Sequence, residues 1–181
     1  MKKDRLALAA PLALTMALAL SACGGGSSSE VGRAYCPAPL TVQDAQQLTH
    51  FKEGAGRDPR DIAFEAAITA SGTTCELSRG QMTVNLIMRI TATAGPSVEP
   101  GVTRVPYFVR VINAAGSVVQ SQEFTADYKL SPSSPRGTSQ EELLLHLPYS
   151  QLSDLGGYRI AIGLKPTREE LDYTRRTRAG Q

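Results

Sequence analysis

Met82-Thr83-Val84-Asn85-Leu86-Ile87-Met88-Arg89-Ile90-Thr91 is the stretch whose reading decides the fold. Met82, Val84, Leu86, Met88 and Ile90 fall on one parity. Thr83, Asn85, Arg89 and Thr91 share the other with Ile87. Successive side chains of a strand point to opposite faces, so this pattern puts one apolar face on a core and a mixed face outward. Two neighbouring stretches repeat it. Ile62, Phe64, Ala66 and Ile68 alternate with Ala63, Glu65, Ala67 and Thr69, and Val105, Tyr107, Val109 and Val111 alternate with Pro106, Phe108, Arg110 and Ile112.

Working outward, Asn113-Ala114-Ala115-Gly116 reads as a hairpin turn into a strand over 118–128. Residues 131–137, rich in Ser and Pro, read as a loop, and 141–147 and 158–164 as two more strands. A short first strand near 35–40 brings the count to about seven. Short strands at this spacing predict a mainly β fold, an antiparallel immunoglobulin-like β-sandwich. The likeness is one of architecture, because the chain has no tryptophan to serve as the buried strand residue of antibody domains. Two short helices complete the expectation. One runs from Thr41 as cap, with Asp44 in its first turn, to about Lys52. The other follows Pro166, starts on the capping box Thr167-Arg168-Glu169-Glu170 and ends near Arg176.

The N-terminus has a different character. Lys2, Lys3 and Arg5 precede an apolar stretch from Leu6 to Leu20, too short for a spanning helix, and then Leu20-Ser21-Ala22-Cys23. A small-residue pair before a cysteine resembles the lipobox of bacterial lipoproteins, which signal peptidase II processes. The resemblance implies that residues 1–22 are removed as a signal peptide and that Cys23 becomes the lipidated first residue. Within that class an Asp after the cysteine favours inner-membrane retention; Gly24 stands here, which implies outer-membrane sorting, facing the periplasm. Residues 23–34, opening Gly24-Gly25-Gly26-Ser27-Ser28-Ser29, are expected to form a flexible tether, and residues 35–181 a single domain. The domain resembles uncharacterised envelope lipoproteins in layout only, so no family active site is carried over. Three of the 19 basic residues and one of the 17 acidic ones lie in the removed segment, leaving 16 of each. A neutral protein has no global field to gather nucleic acid.

Cys36 and Cys75 remain after Cys23 is assigned to lipid. An oxidising compartment and an even remainder predict that they pair. Free thiols, a redox pair and a zinc site are the alternatives; the last two lack a C-x-x-C and a histidine cluster.

Candidate sites are few, and each has a plainer reading. Arg175, Arg176 and Arg178 are a candidate contact for an acidic partner, or a solvated helix end complementing its dipole. Tyr107 and Phe108 face opposite sides of one strand, so the outward one is a candidate partner anchor, or is covered by a neighbouring segment. Pro106 points to an edge strand or a bulge. Gly54-Ala55-Gly56 has the wrong element order for a phosphate loop and reads as a turn. His50, expected on the first helix, and His146, on the polar parity of 141–147, read as surface residues rather than metal ligands. No nucleophile motif, cofactor motif or metal motif is present. The expectation is therefore a non-catalytic, lipid-anchored module that binds an envelope protein assembly. The alternatives are a carrier of a small apolar ligand, using an interior lined by small residues such as Ala66 and Gly163, and a cell-wall hydrolase.

Overall fold

A computed structural model describes residues 27–54 and 57–179. Two four-stranded sheets face one another. The elements run α1 (Ser27–Ala34), β1 (Pro39–Thr41), a 3-10 turn (Gln43–Ala45), β2 (Gln47–Phe51), a second 3-10 turn (Pro59–Asp61), β3 (Ile62–Ser78), β4 (Gln81–Ala94), β5 (Gly101–Ile112), β6 (Val118–Leu130), β7 (Arg136–Pro148), α2 (Leu152–Leu155), β8 (Arg159–Leu164) and α3 (Arg168–Ala179). The first sheet has the order β1-β8-β5-β6 and the second β2-β3-β4-β7. Every ladder is antiparallel except β1–β8. The fold is thus the expected β-sandwich, with eight strands among the described residues rather than about seven.

The alternation that opened the reading builds the core. Met82, Val84, Leu86, Met88 and Ile90 of β4 are wholly buried. They meet Val105, Tyr107, Val109 and Val111 of β5 and Ile160, Ile162 and Leu164 of β8 in one continuous cluster. Tyr128 clamps the sheets where β6 passes β7. Its hydroxyl donates to the Ile90 carbonyl at 3.0 Å and lies 2.7 Å from Ser139 Oγ. A Cβ on Gly137 would sit 2.7 Å from the Tyr128 ring, so glycine is what lets β7 come this close. The hairpin turn forms as expected, with Gly116 at φ 79° and its amide donating to the Asn113 carbonyl at 2.9 Å.

Five expectations are corrected. The first helix, expected over residues 41–52, is a 3-10 turn followed by β2. Leu48 and Phe51 are both buried, at the i, i+3 spacing of a helix. A register shift between His50 and Phe51 produces that spacing within a strand. Residues 27–34, expected in the tether, form α1 over the far half of β3. Gly32 approaches the Cys75 carbonyl so closely that a Cβ would lie 3.2 Å from it. The first strand lies at Pro39–Thr41, and β7 begins at Arg136, inside the expected loop. Pro106 stands in an inner strand, not at an edge. Its carbonyl accepts from the Lys165 amide at 2.8 Å, one residue past the end of β8. The amide that proline lacks therefore faces the end of that ladder, where the loss costs little.

β3 is longer than its alternation suggests, at 17 residues. A bulge at Thr69 reverses the parity. Phe64, Ala66 and Ile68 face inward before it; after it Ser71, Thr73, Cys75 and Leu77 pair with the inward residues of β4. The Cys36–Cys75 disulfide forms, with Cα atoms 5.6 Å apart, and ties the end of α1 to this far half.

Candidate functional site

Two grooves meet at the end of the sandwich where β3 begins. The smaller, about 250 Å³, is floored by Leu48, Phe64 and Pro106 and walled by His50, Arg104 and Lys165. The larger, about 690 Å³, shares His50, Phe64 and Arg104 and adds Lys52, Glu53 and Glu99. Their common wall is a histidine held by a buried carboxylate. His50 Nδ1 lies 2.7 Å from Glu170 Oε1. The Glu170 side chain is 8% exposed and that of His50 47% exposed, so the pair runs from the interior to the groove. The His50 ring also stacks on Phe64, with centroids 4.8 Å apart.

Glu170 arrives there because of the capping box. Its Oε2 accepts from the Thr167 amide at 2.7 Å, and its own amide donates to Thr167 Oγ1 at 3.3 Å. The expected cap is present, and its carboxylate does a second job with the free oxygen. Burial pushes the Glu170 carboxyl up, but the hydrogen bonds with His50 and Thr167 outweigh it and hold the group below the ordinary carboxylate value. An ionised carboxylate only accepts, so His50 donates to it through Nδ1, and Nε2 lies outside this pair. His50 reaches this place because it is a strand residue at the shifted end of β2.

The cationic side chains of the smaller groove differ in their partners. Lys165 Nζ is 2.5 Å from Glu123 Oε2. Arg104 has no hydrogen bond or ion pair among the described residues, although Asp127 is its register partner on β6. No group of three His, Cys, Asp or Glu side chains among the described residues is arranged to hold a metal.

The residues singled out in the sequence are dispersed. His146 is exposed on β7, at the opposite edge of its sheet from β2 and His50. Tyr107 is core: its ring stacks on Phe124, and its hydroxyl donates to Glu141 Oε2 at 2.8 Å. Burial and that carboxylate push the hydroxyl well above its ordinary range. Phe108 is the outward one of the pair. It is half-buried, with the Arg110 guanidinium 4.7 Å from its ring centroid. Glycine at 163 leaves room for it, since a Cβ there would lie 2.7 Å from both Phe108 and Ala45. Ala45 of the first 3-10 turn thus lies on the same side of Gly163 as Phe108.

Of the arginine cluster, Arg175 makes two hydrogen bonds to Asp44 Oδ2, at 2.9 and 2.7 Å. Arg178 donates to the Gln43 carbonyl at 3.0 Å, and Arg176 is exposed. Two of the three therefore dock α3 on the 3-10 turn. Cys23 and the lipobox lie outside the described residues. Among the described residues no helix is long and apolar enough to cross a membrane. No family model matches the chain, and neither a curated protein nor a solved structure is significantly similar to it.

Proposed function

We propose that this chain is a lipid-anchored protein of the cell envelope, non-catalytic, held at the outer membrane facing the periplasm. It binds an envelope partner at the groove end of the sandwich. The observation that carries the reading is the opposition of its two ends. α1 and the disulfide hold the N-terminal side of the chain to the far half of β3, and the His50 grooves open at the other. From Phe64 to Cys75 the strand advances roughly 35 Å. A lipid on Cys23 is at most about 14 Å of chain from Ser27. An anchor on so short a lead keeps α1 near the bilayer and turns the grooves away from it, towards other envelope proteins.

The fully buried core residues bear on the carrier alternative. Side chains fill the space between the sheets, and the grooves lie outside it. A hydrolase has one observation in its favour, the carboxylate-oriented histidine.

The test is fractionation combined with photocrosslinking in cells. The wild-type chain is expected in membranes and Cys23→Ala in the soluble fraction. A photoreactive residue at Val102, exposed on the larger groove, is expected to capture one recurrent envelope protein; one at Arg79, on the β3–β4 turn, is not. Retention of Cys23→Ala in membranes would overturn the lipid anchor, and equal capture from both positions would overturn the groove as the binding end.

A further inference from the structure

We infer that the smaller groove is a site for a small organic carboxylate with an apolar body. The claim deepens the binding reading of the same end of the molecule by naming what the groove takes. Its floor of Leu48, Phe64 and Pro106 offers apolar contact and few polar groups to satisfy. Its volume, about 250 Å³, admits a single ring or a short branched chain.

The charge of the groove selects the other half of the ligand. Four charged or titratable side chains line it: His50 from β2, Arg104 from β5, Lys165 after β8 and Glu170 from α3. Glu170 is already engaged through both oxygens, with His50 and with the Thr167 amide. Lys165 is neutralised by Glu123. Of these four, Arg104 is the one whose side chain makes no hydrogen bond or ion pair among the described residues; it lines both grooves, beside its register partner Asp127. A guanidinium is a planar fork of donors that matches a carboxylate in two parallel hydrogen bonds. His50 lines the same groove with its ring fixed by Glu170 through Nδ1, which leaves Nε2 as a second polar contact for the ligand. A cation would meet Arg104 and Lys165 first and gain nothing from a carboxylate already bonded twice.

The two histidines of the chain supply the assay, because one lies in the groove and the other at the opposite edge of the sheet. The full-length protein is purified in a neutral detergent with isotope-labelled histidine and titrated with benzoate. Half-saturation is expected at roughly 1 mM, the range open to so few ligand atoms. The His50 ring-nitrogen signals should shift as benzoate is added while those of His146 stay still. Benzamide, with the same ring and no charge, should bind at least ~10-fold more weakly, as should benzoate to Arg104→Gln. Arg104 is exposed, and an unmoved His146 spectrum reports that the variant is folded.

Three results would overturn the inference: equal binding of benzamide, full binding by Arg104→Gln, or no His50 response by ~20 mM benzoate. Failure here with crosslinking at Val102 intact would remove the carboxylate chemistry and leave the protein-binding reading. Benzoate binding without a crosslinked partner would do the reverse.

Discussion

Glu170 shows what a single side chain does when its two oxygens serve different elements. One caps α3 through Thr167, and the other fixes the ring of His50 on β2. Because its folded-state value lies below the ordinary one, the unfolded chain takes up this proton more readily as the pH falls. The stabilisation is therefore complete above the ordinary carboxylate value and is lost as the pH drops through it towards the folded-state value. Replacing the group as Glu170→Gln should cost about 1–2 kcal/mol near neutrality, the scale of a lost charged hydrogen bond. It should also flatten the acid side of the stability curve. Thermal melts between roughly pH 3 and 7 check both; parallel wild-type and variant curves would contradict the assignment. The capping box was legible in Thr167 and Glu170. The partner was not, because His50 lies 120 positions away and only the packing of α3 beside β2 joins them.

At the scale of elements, two attachments outside the sheets matter. The disulfide closes a separation of 39 residues and holds α1 to β3. Cys75→Ser should lower stability by about 4 kcal/mol in the chain-entropy account and speed amide exchange in residues 27–34. An unchanged melting temperature would rule this out. The end of α3 is attached differently, through half-exposed ion pairs to Asp44. Exposed pairs contribute little, so deleting residues 175–181 should leave the fold intact and cost about 1 kcal/mol or less. Loss of folding on that deletion would show that the helix end carries packing as well as charge. β2, and the alternation of the far half of β3, are obscured in sequence by one cause. A bulge inserts a residue and shifts the parity, so β2 mimics helical spacing and the period-two run of β3 breaks at Thr69.

For the whole molecule, stability rests on the inter-sheet layer, where β4 is buried on its inner face from Met82 to Ala92. Met88→Ala there should cost about 2–5 kcal/mol, read as a shift in the urea midpoint, and a cost near zero would imply a layer loose enough to hold ligand. The sandwich class, the hairpin at Asn113–Gly116, the α3 cap and the cysteine pairing were all determined by sequence. Each rests on local pattern or on elimination: period two, turn chemistry, a three-residue spacing and an even count of thiols. Only the tertiary structure decided which sheet each strand joined, that β1 runs parallel to β8, and that Arg175 answers Asp44. It alone brought His50, Arg104, Lys165 and Glu170 to one groove. Those four come from β2, β5, α3 and the segment that follows β8. Burial of the apolar faces selects the arrangement in which they meet, and no local feature of the chain encodes that meeting.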